Sequence, residues 1–164
     1  MGRLTWRLPQ HLTVETEVAA SPGQVWTLLT DVTRVGEWSH ECRAASWLVG
    51  DDRAAVGARF AGRNRSGALR WRRRCEITEL EPEELLVYRT SGGLPPDSTE
   101  WRIELEPTAS GGSLVRQSFQ VVRLPLVTEL MILVLLRPHR DRTAALRADL
   151  VRLGEVAAGQ VHAS

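Results

Sequence analysis

Lysine is absent from this chain of 164 residues: every one of its 21 basic side chains is arginine. The arginines are spread along the whole length, which points to codon usage rather than to a polybasic segment. Set against 20 acidic residues they leave a formal net charge of +1. No overall electrostatic pull toward nucleic acid or an anionic membrane is therefore expected. Cysteine is scarce, with only Cys42 and Cys75. Met1–Gln10 holds Arg3 and Arg7 but no apolar core of a signal peptide, so both thiols are expected to stay reduced in a cytoplasmic protein. The most apolar run, Leu124–Leu136, is 13 residues long and contains Glu129. That is too short and too interrupted for stable insertion across a bilayer.

Signatures of several chemistries are missing as well. There is no G-x-S-x-G, no glycine-rich phosphate loop and no dinucleotide fingerprint. His40, Cys42 and His139 lack a C-x-x-C or H-x-x-x-H spacing, so no metal is expected, and nothing points to a cofactor. No repeat or low-complexity linker divides the chain. One domain over 1–164 is expected, with its core at about 11–157.

What is present is regular patterning. Leu12, Val14, Thr16 and Val18 alternate with Thr13, Glu15 and Glu17, the mark of a half-buried strand. Ser21-Pro22-Gly23-Gln24 then has the form of a capping box with proline at the first helical position. Val25, Leu28, Leu29 and Val32 give one apolar stripe of a short helix, and a second short helical piece around 33–37 ends at Trp38. Candidate strands follow near 44–49, 58–65, 68–80, 84–91, 98–106 and 113–122, separated by turns rich in glycine and proline. Sequential strands with short connections imply an antiparallel meander. The last forty or so residues read as helix, with Pro138 expected to kink or divide it. Leu126–Leu136 is apolar on nearly every face and calls for cover on more than one side.

The order of strand, two short helices, six strands and long helix resembles the START-like superfamily, also called SRPBCC. Within it the chain is most similar to the bacterial polyketide cyclase/dehydrase-type group. The resemblance spans roughly 11–157 and rests on Val25-Trp26-x-Leu28-Leu29-x-Asp31, Gly36-Glu37-Trp38-Ser39, Gly57-Ala58-Arg59-Phe60-x-Gly62, and Trp71 followed by Cys75-x-Ile77-x-x-Leu80-Glu81-Pro82. It implies an α+β helix-grip fold: a curved antiparallel sheet of about seven strands around a long C-terminal helix, with two short helices after the first strand. It also implies a ligand cavity between the concave sheet face and that helix.

Strand phase then selects the residues that would line such a cavity. They are Phe60 and Asn64 on one strand, Trp71 and Arg73 on the next, Trp101 further on, and Gln117 and Phe119 on the last. Trp38 would stand at the mouth, while Trp26, Trp71 and Trp101 are most simply core. Met131, Leu135 and His139 would come from the helical end, His139 seven residues before Leu146 on the stripe that faces the sheet. Arg73 is the anomaly, since a guanidinium on an apolar face needs a partner. It could bind a ligand carboxylate or phenolate, pair internally with Glu37 or Glu41, or reach the rim. Arg59, Arg63 and Arg65, with Arg70, Arg72 and Arg74, would form stripes on the convex face. These are either a basic patch or, the reading adopted, a solvated face neutralised by Glu76, Glu104 and Glu106.

Three functions fit. One is binding of a small hydrophobic molecule of lipid, polyketide or aromatic type, as a carrier or sequestering protein. Another is a cyclase, aromatase or dehydratase using the same pocket, with His139 or His40 as proton shuttle and Arg73 as carbonyl stabiliser. The third is self-association, a homodimer through the apolar 126–136 segment. No nucleic-acid partner is expected.

Overall fold

The computed structural model describes residues 7–159, so the reading of Met1–Gln10 as no leader falls largely outside the described residues. Seven strands form one antiparallel sheet in the order β1-β7-β6-β5-β4-β3-β2. They are β1 (His11–Val18), β2 (Cys42–Trp47), β3 (Arg59–Ser66), β4 (Leu69–Glu81), β5 (Leu85–Gly92), β6 (Asp97–Pro107) and β7 (Ser113–Arg123). The meander from β2 to β7 runs neighbour to neighbour, and β1 adds to its far edge through β7. Register shifts at Cys42/Ala44, Ile77/Glu79 and Ser98/Thr99 mark irregularities that bend strands of this kind.

Helix α1 (Pro22–Thr30) starts where the capping box requires. The Gln24 amide donates to Ser21 Oγ at 3.3 Å, and the Ser21 N–H donates to Gln24 Oε1 at 2.8 Å. A 3-10 turn, Val32–Glu37, follows and ends at Trp38. The C-terminal helical region is divided rather than kinked. Helix α2 (Leu126–Leu135) stops before a 3-10 turn at Arg137–Arg140, and α3 (Thr143–Gly159) starts afresh. Pro138 sits inside the break, where its missing N–H and ring exclude a continuous helix. The Asp141 carboxylate then accepts from the Thr143 N–H at 3.0 Å, the start of α3.

The core lies where α3 crosses the sheet at β1 and β7. Leu146, Leu150, Leu153 and Ala157 form its buried stripe and meet Val14, Ile103, Leu105 and Val115, with Leu28 and Leu29 of α1 closing the end. Full burial of each large side chain contributes roughly 1.5–3 kcal/mol. Gly154 permits the closest approach, because a Cβ there would overlap the Val18 side chain. No helix among the described residues is long and apolar enough to cross a membrane.

The expectation that 126–136 would be covered on several sides is corrected. Glu129 is buried, accepting from the Leu8 N–H at 2.9 Å and from Arg7 at 3.5 Å, but the apolar face opposite it is open. The neutralised convex face holds only at Arg59, which has Glu76 across from it, and is corrected elsewhere. Arg63 lies directly across from Arg72, and Arg65 from Arg70, so like charges face each other. Glu104 and Glu106 instead approach Arg102 and Arg116, and Glu76 stands opposite Arg59 and Arg89.

Candidate functional site

Helix α3 packs chiefly on β1 and β7, and beside the remaining strands lies a cavity of about 430 Å³. Alternation along the strands supplies its wall: Phe60, Gly62 and Asn64 from β3, Trp71, Arg73, Cys75 and Ile77 from β4, and Trp101 and Ile103 from β6. Gln117 and Phe119 of β7, Trp38, His40 and Glu41 before β2, and Met131, Leu135, His139 and Arg142 from the helical side complete it. Each candidate side chain chosen by strand phase thus borders one space. Trp71 is a half-buried wall residue rather than core, Trp101 borders the cavity and also packs against the core, and Trp38 is 7% exposed and packs in the core instead of standing at the mouth. Trp26 packs against the core away from this cavity.

Aromatic rings give the wall its shape. Trp47, Phe60 and Tyr88 form a chain of contacts, each step 5.8 Å between centroids. Trp101 and Phe119 tilt together at 5.2 Å. The Arg142 guanidinium lies 5.2 Å from the Trp101 ring centre and 5.8 Å from that of Phe119, within cation–π range of both.

Arg73, Glu41, Arg142 and His40, charged or titratable groups that border the cavity, each have a partner in its wall. Arg73 Nη1 donates to both Asp97 oxygens, at 2.7 and 2.9 Å, and its Nη2 reaches Thr90 Oγ1 at 3.4 Å. The internal pairing open for Arg73 is therefore realised, but with Asp97; Glu37 is on the surface, joined to Arg34 at 2.7 Å. Glu41 instead faces His139 Nε2 at 2.6 Å and Arg142 Nη2 at 3.4 Å. Burial alone would raise the Glu41 carboxyl. The His139 hydrogen bond and the charges of Arg142, His139 and His40 outweigh it and hold the carboxyl below its ordinary pKa. His139 lies on the 3-10 turn rather than on α3, with its ring edge-on to Trp71 at 5.9 Å. His40 is bound twice by Asp149, Nδ1 at 2.7 Å and its N–H at 2.9 Å.

Three polar atoms of wall residues have no hydrogen-bond partner among the described residues: Trp38 Nε1, Gln117 Oε1 and Arg142 Nε. A buried polar atom left so is unfavourable by roughly 1–3 kcal/mol. The thiols carry no such demand. Burial pushes Cys42 up to about 11 and Cys75 up to about 12, so both are neutral and weakly nucleophilic at neutral pH. They are free cysteines, as their sequence context implied. Burial likewise pushes up the phenol of Tyr88, another residue bordering the cavity. No group of three or more His, Cys, Asp or Glu among the described residues is placed to hold a metal ion.

Sequence reasoning passed over Tyr88, Thr90, Asp97, Arg142 and Asp149. Tyr88 closes the run Leu85-Leu86-Val87-Tyr88, where unbroken apolarity hides the strand phase. Arg142 and Asp149 look like members of a solvated helix face.

The sequence family described as polyketide cyclase / dehydrase and lipid transport matches residues 9–151. No curated protein matches the chain. Among solved structures, Cgl2372 of Corynebacterium glutamicum, a Polyketide_cyc-like protein, is 23% identical; the similarity covers 93% of each chain, with a TM-score of 0.61. TTHA0849 of Thermus thermophilus is 15% identical, with 94% of this chain and 99% of that one covered and a TM-score of 0.69. MLL2253 of Mesorhizobium loti is 18% identical, with 94% and 98% covered and a TM-score of 0.64. At these identities the likeness speaks for the helix-grip fold alone.

Proposed function

The chain belongs to the polyketide cyclase / dehydrase and lipid transport family, and from that premise we propose that it binds a small, neutral, largely apolar molecule in the cavity, as a carrier or sequestering protein. The volume carries this reading. An apolar cavity kept empty costs about 24 cal/mol per Å³ by analogy with cavity-creating substitutions. For 430 Å³ that is on the order of 10 kcal/mol, as large as the whole net stability of a typical domain. A space of that size is not left dry: solvent or a ligand fills it, and a wall built mainly of apolar and aromatic side chains favours an apolar ligand over water. Engineered cavities of about 150 Å³ take up benzene, so the space suits two or three fused rings or an acyl chain of similar bulk.

The charge pattern supports a neutral ligand. An anionic group seeking Arg73 or Arg142 would have to displace Asp97 or Glu41, each already buried against its arginine. Loss of one partner from a buried pair is unfavourable by about 3–5 kcal/mol. A ketone, ester or phenol avoids that loss and can still meet a wall donor or acceptor. Substituting Ala45→Phe would add roughly the bulk of benzene to the wall. Titration with a neutral naphthalene dye should then show at least a tenfold weaker affinity at unchanged circular dichroism. Equal affinity in both proteins would contradict binding in this cavity.

One observation favours turnover of the ligand. His139 and Glu41 form a short, buried pair beside Trp71, an arrangement able to relay a proton to or from a bound carbonyl compound. If it does so, His139→Gln should abolish turnover of a bound polyketide-type substrate while leaving dye binding within a factor of two or so. Unchanged turnover would remove His139 from the chemistry.

A further inference from the structure

The net charge of +1 conceals a strong sorting of side chains along the strands. The registers place the β3–β4 hairpin (Ser66 opposite Leu69), the β5–β6 turn (Gly92 opposite Asp97) and the exit of β7 into α2 at one end of the sheet. Leu69, Gly93 and Leu124 of this end border the cavity. Helix α2 bridges the same end. Glu129 near its start is tied to Leu8 beside β1, and His139 just past its finish meets Glu41 beside β2 and Trp71 of β4.

The outer face of α2 is bare. Leu126, Leu130 and Val134 form an i, i+4, i+8 stripe at 66%, 47% and 68% exposure, and Leu94 at the β5–β6 turn is 94% exposed. Exposed arginines predominate around this apolar face, with Asp141 just past the 3-10 turn an exposed acid near them in the chain. Arg65 and Arg70 oppose each other at the β3–β4 hairpin, and Arg123 and Arg137 flank α2; none of the four has an ion pair among the described residues. The opposite end of the sheet carries the exposed acids Glu81, Glu83, Glu84 and Glu106. An apolar helix face rimmed by arginines, with its inner side on the cavity, has the make-up of an interfacial helix.

We propose that α2 and the two adjoining turns form a docking face for an anionic lipid bilayer, with α2 lying in the headgroup boundary across the cavity mouth. The leucines and valine enter the acyl boundary while the arginines contact lipid phosphates. A second copy fits less well, because a two-fold contact would set one arginine rim against the other. Nucleic acid fits less well too, because it leaves the apolar stripe unburied. The docking face stands on the surface residues; passage of a ligand through it rests on the binding reading above.

The test is flotation of the full chain with vesicles of phosphatidylcholine alone or mixed with phosphatidylglycerol, at low and high salt, beside light scattering to determine oligomeric state. Partition onto the mixed vesicles only, weakened by salt, is expected. Substituting Arg123→Gln or Arg137→Gln should each reduce it about fivefold, given the usual contribution of one arginine near an anionic surface. The pair Leu130→Glu and Val134→Glu should abolish it, while dye binding in the cavity and thermal stability persist because both side chains are exposed. The Ala45→Phe variant, impaired in the cavity, should dock like wild type, so the two ideas fail separately. Absence of wild-type partition, or equal partition onto both vesicle types, overturns the proposal. So does a wild-type dimer that the glutamate pair renders monomeric, or binding to an oligonucleotide that this pair leaves intact without any vesicle binding.

Discussion

Glu41 offers the sharpest quantitative handle on the polar side of the cavity, because one carboxylate holds two elements together. It joins the segment before β2 to His139 on the 3-10 turn and to Arg142 ahead of α3, at 2.6 and 3.4 Å. Replacing Glu41 by Gln removes the charge and keeps an oxygen. The Arg142 guanidinium, 16% exposed and unable to deprotonate, then loses its counter-charge. Breaking one side of a buried pair is unfavourable by about 3–5 kcal/mol, and the retained oxygen favours the lower end. At 2–4 °C per kcal/mol for a chain of this size, the melting temperature at pH 7 should fall by about 6–12 °C. The pH dependence fixes the sign. The carboxyl has a folded-state pKa below its ordinary 4.5, so its contribution is complete above the unfolded value and is lost as pH falls through the folded one. Thermal melts of wild type and Glu41→Gln should therefore differ at pH 7 and converge in acid. Glu37→Gln, which breaks only the exposed pair with Arg34, should be nearly silent throughout. A gap below about 2 °C at pH 7, or one that persists unchanged at pH 3, would refute the reasoning.

The remaining expectations are simpler. Native Cys42 and Cys75 should react with a disulfide reagent many times more slowly at pH 8 than the same thiols in denaturant, since burial has raised both; equal rates would show that the β2–β4 wall is open. Gly154→Ala should destabilise by about 1–3 kcal/mol in urea melts, although alanine gains about 1 kcal/mol of helix propensity. The new methyl collides with Val18 where α3 crosses β1, and a stabilised variant would contradict that packing.

Much of this scaffold could be read from residue order. The alternation of Leu12 to Val18 and the box at Ser21–Gln24 are local signals, and local physics decides them. Strand phase also brought Phe60, Trp71, Trp101 and Phe119 to one side, because a sheet with one apolar face leaves no other register. Arg73 could be picked out as anomalous, but its partner could not. Asp97 stands two strands away and 24 residues later, so the pair exists only once β4, β5 and β6 are aligned. The same holds for Asp149 and His40, 109 residues apart. Helix α2 misled in a different way. A segment apolar all round reads as buried, and only the tertiary arrangement reveals that one face meets the cavity while the other meets solvent.

The central claim is that the 430 Å³ cavity is built to be filled by a small neutral apolar molecule. Native mass spectrometry of the purified chain, followed by solvent extraction and mass analysis of the extract, tests it most directly. The expected result is a neutral ring compound or lipid of matching bulk, bound at or near one per chain in wild type and largely lost in Ala45→Phe. A wild-type protein of bare polypeptide mass that also takes up no neutral dye, or one whose bound molecule is a small anion retained fully by Ala45→Phe, would contradict it.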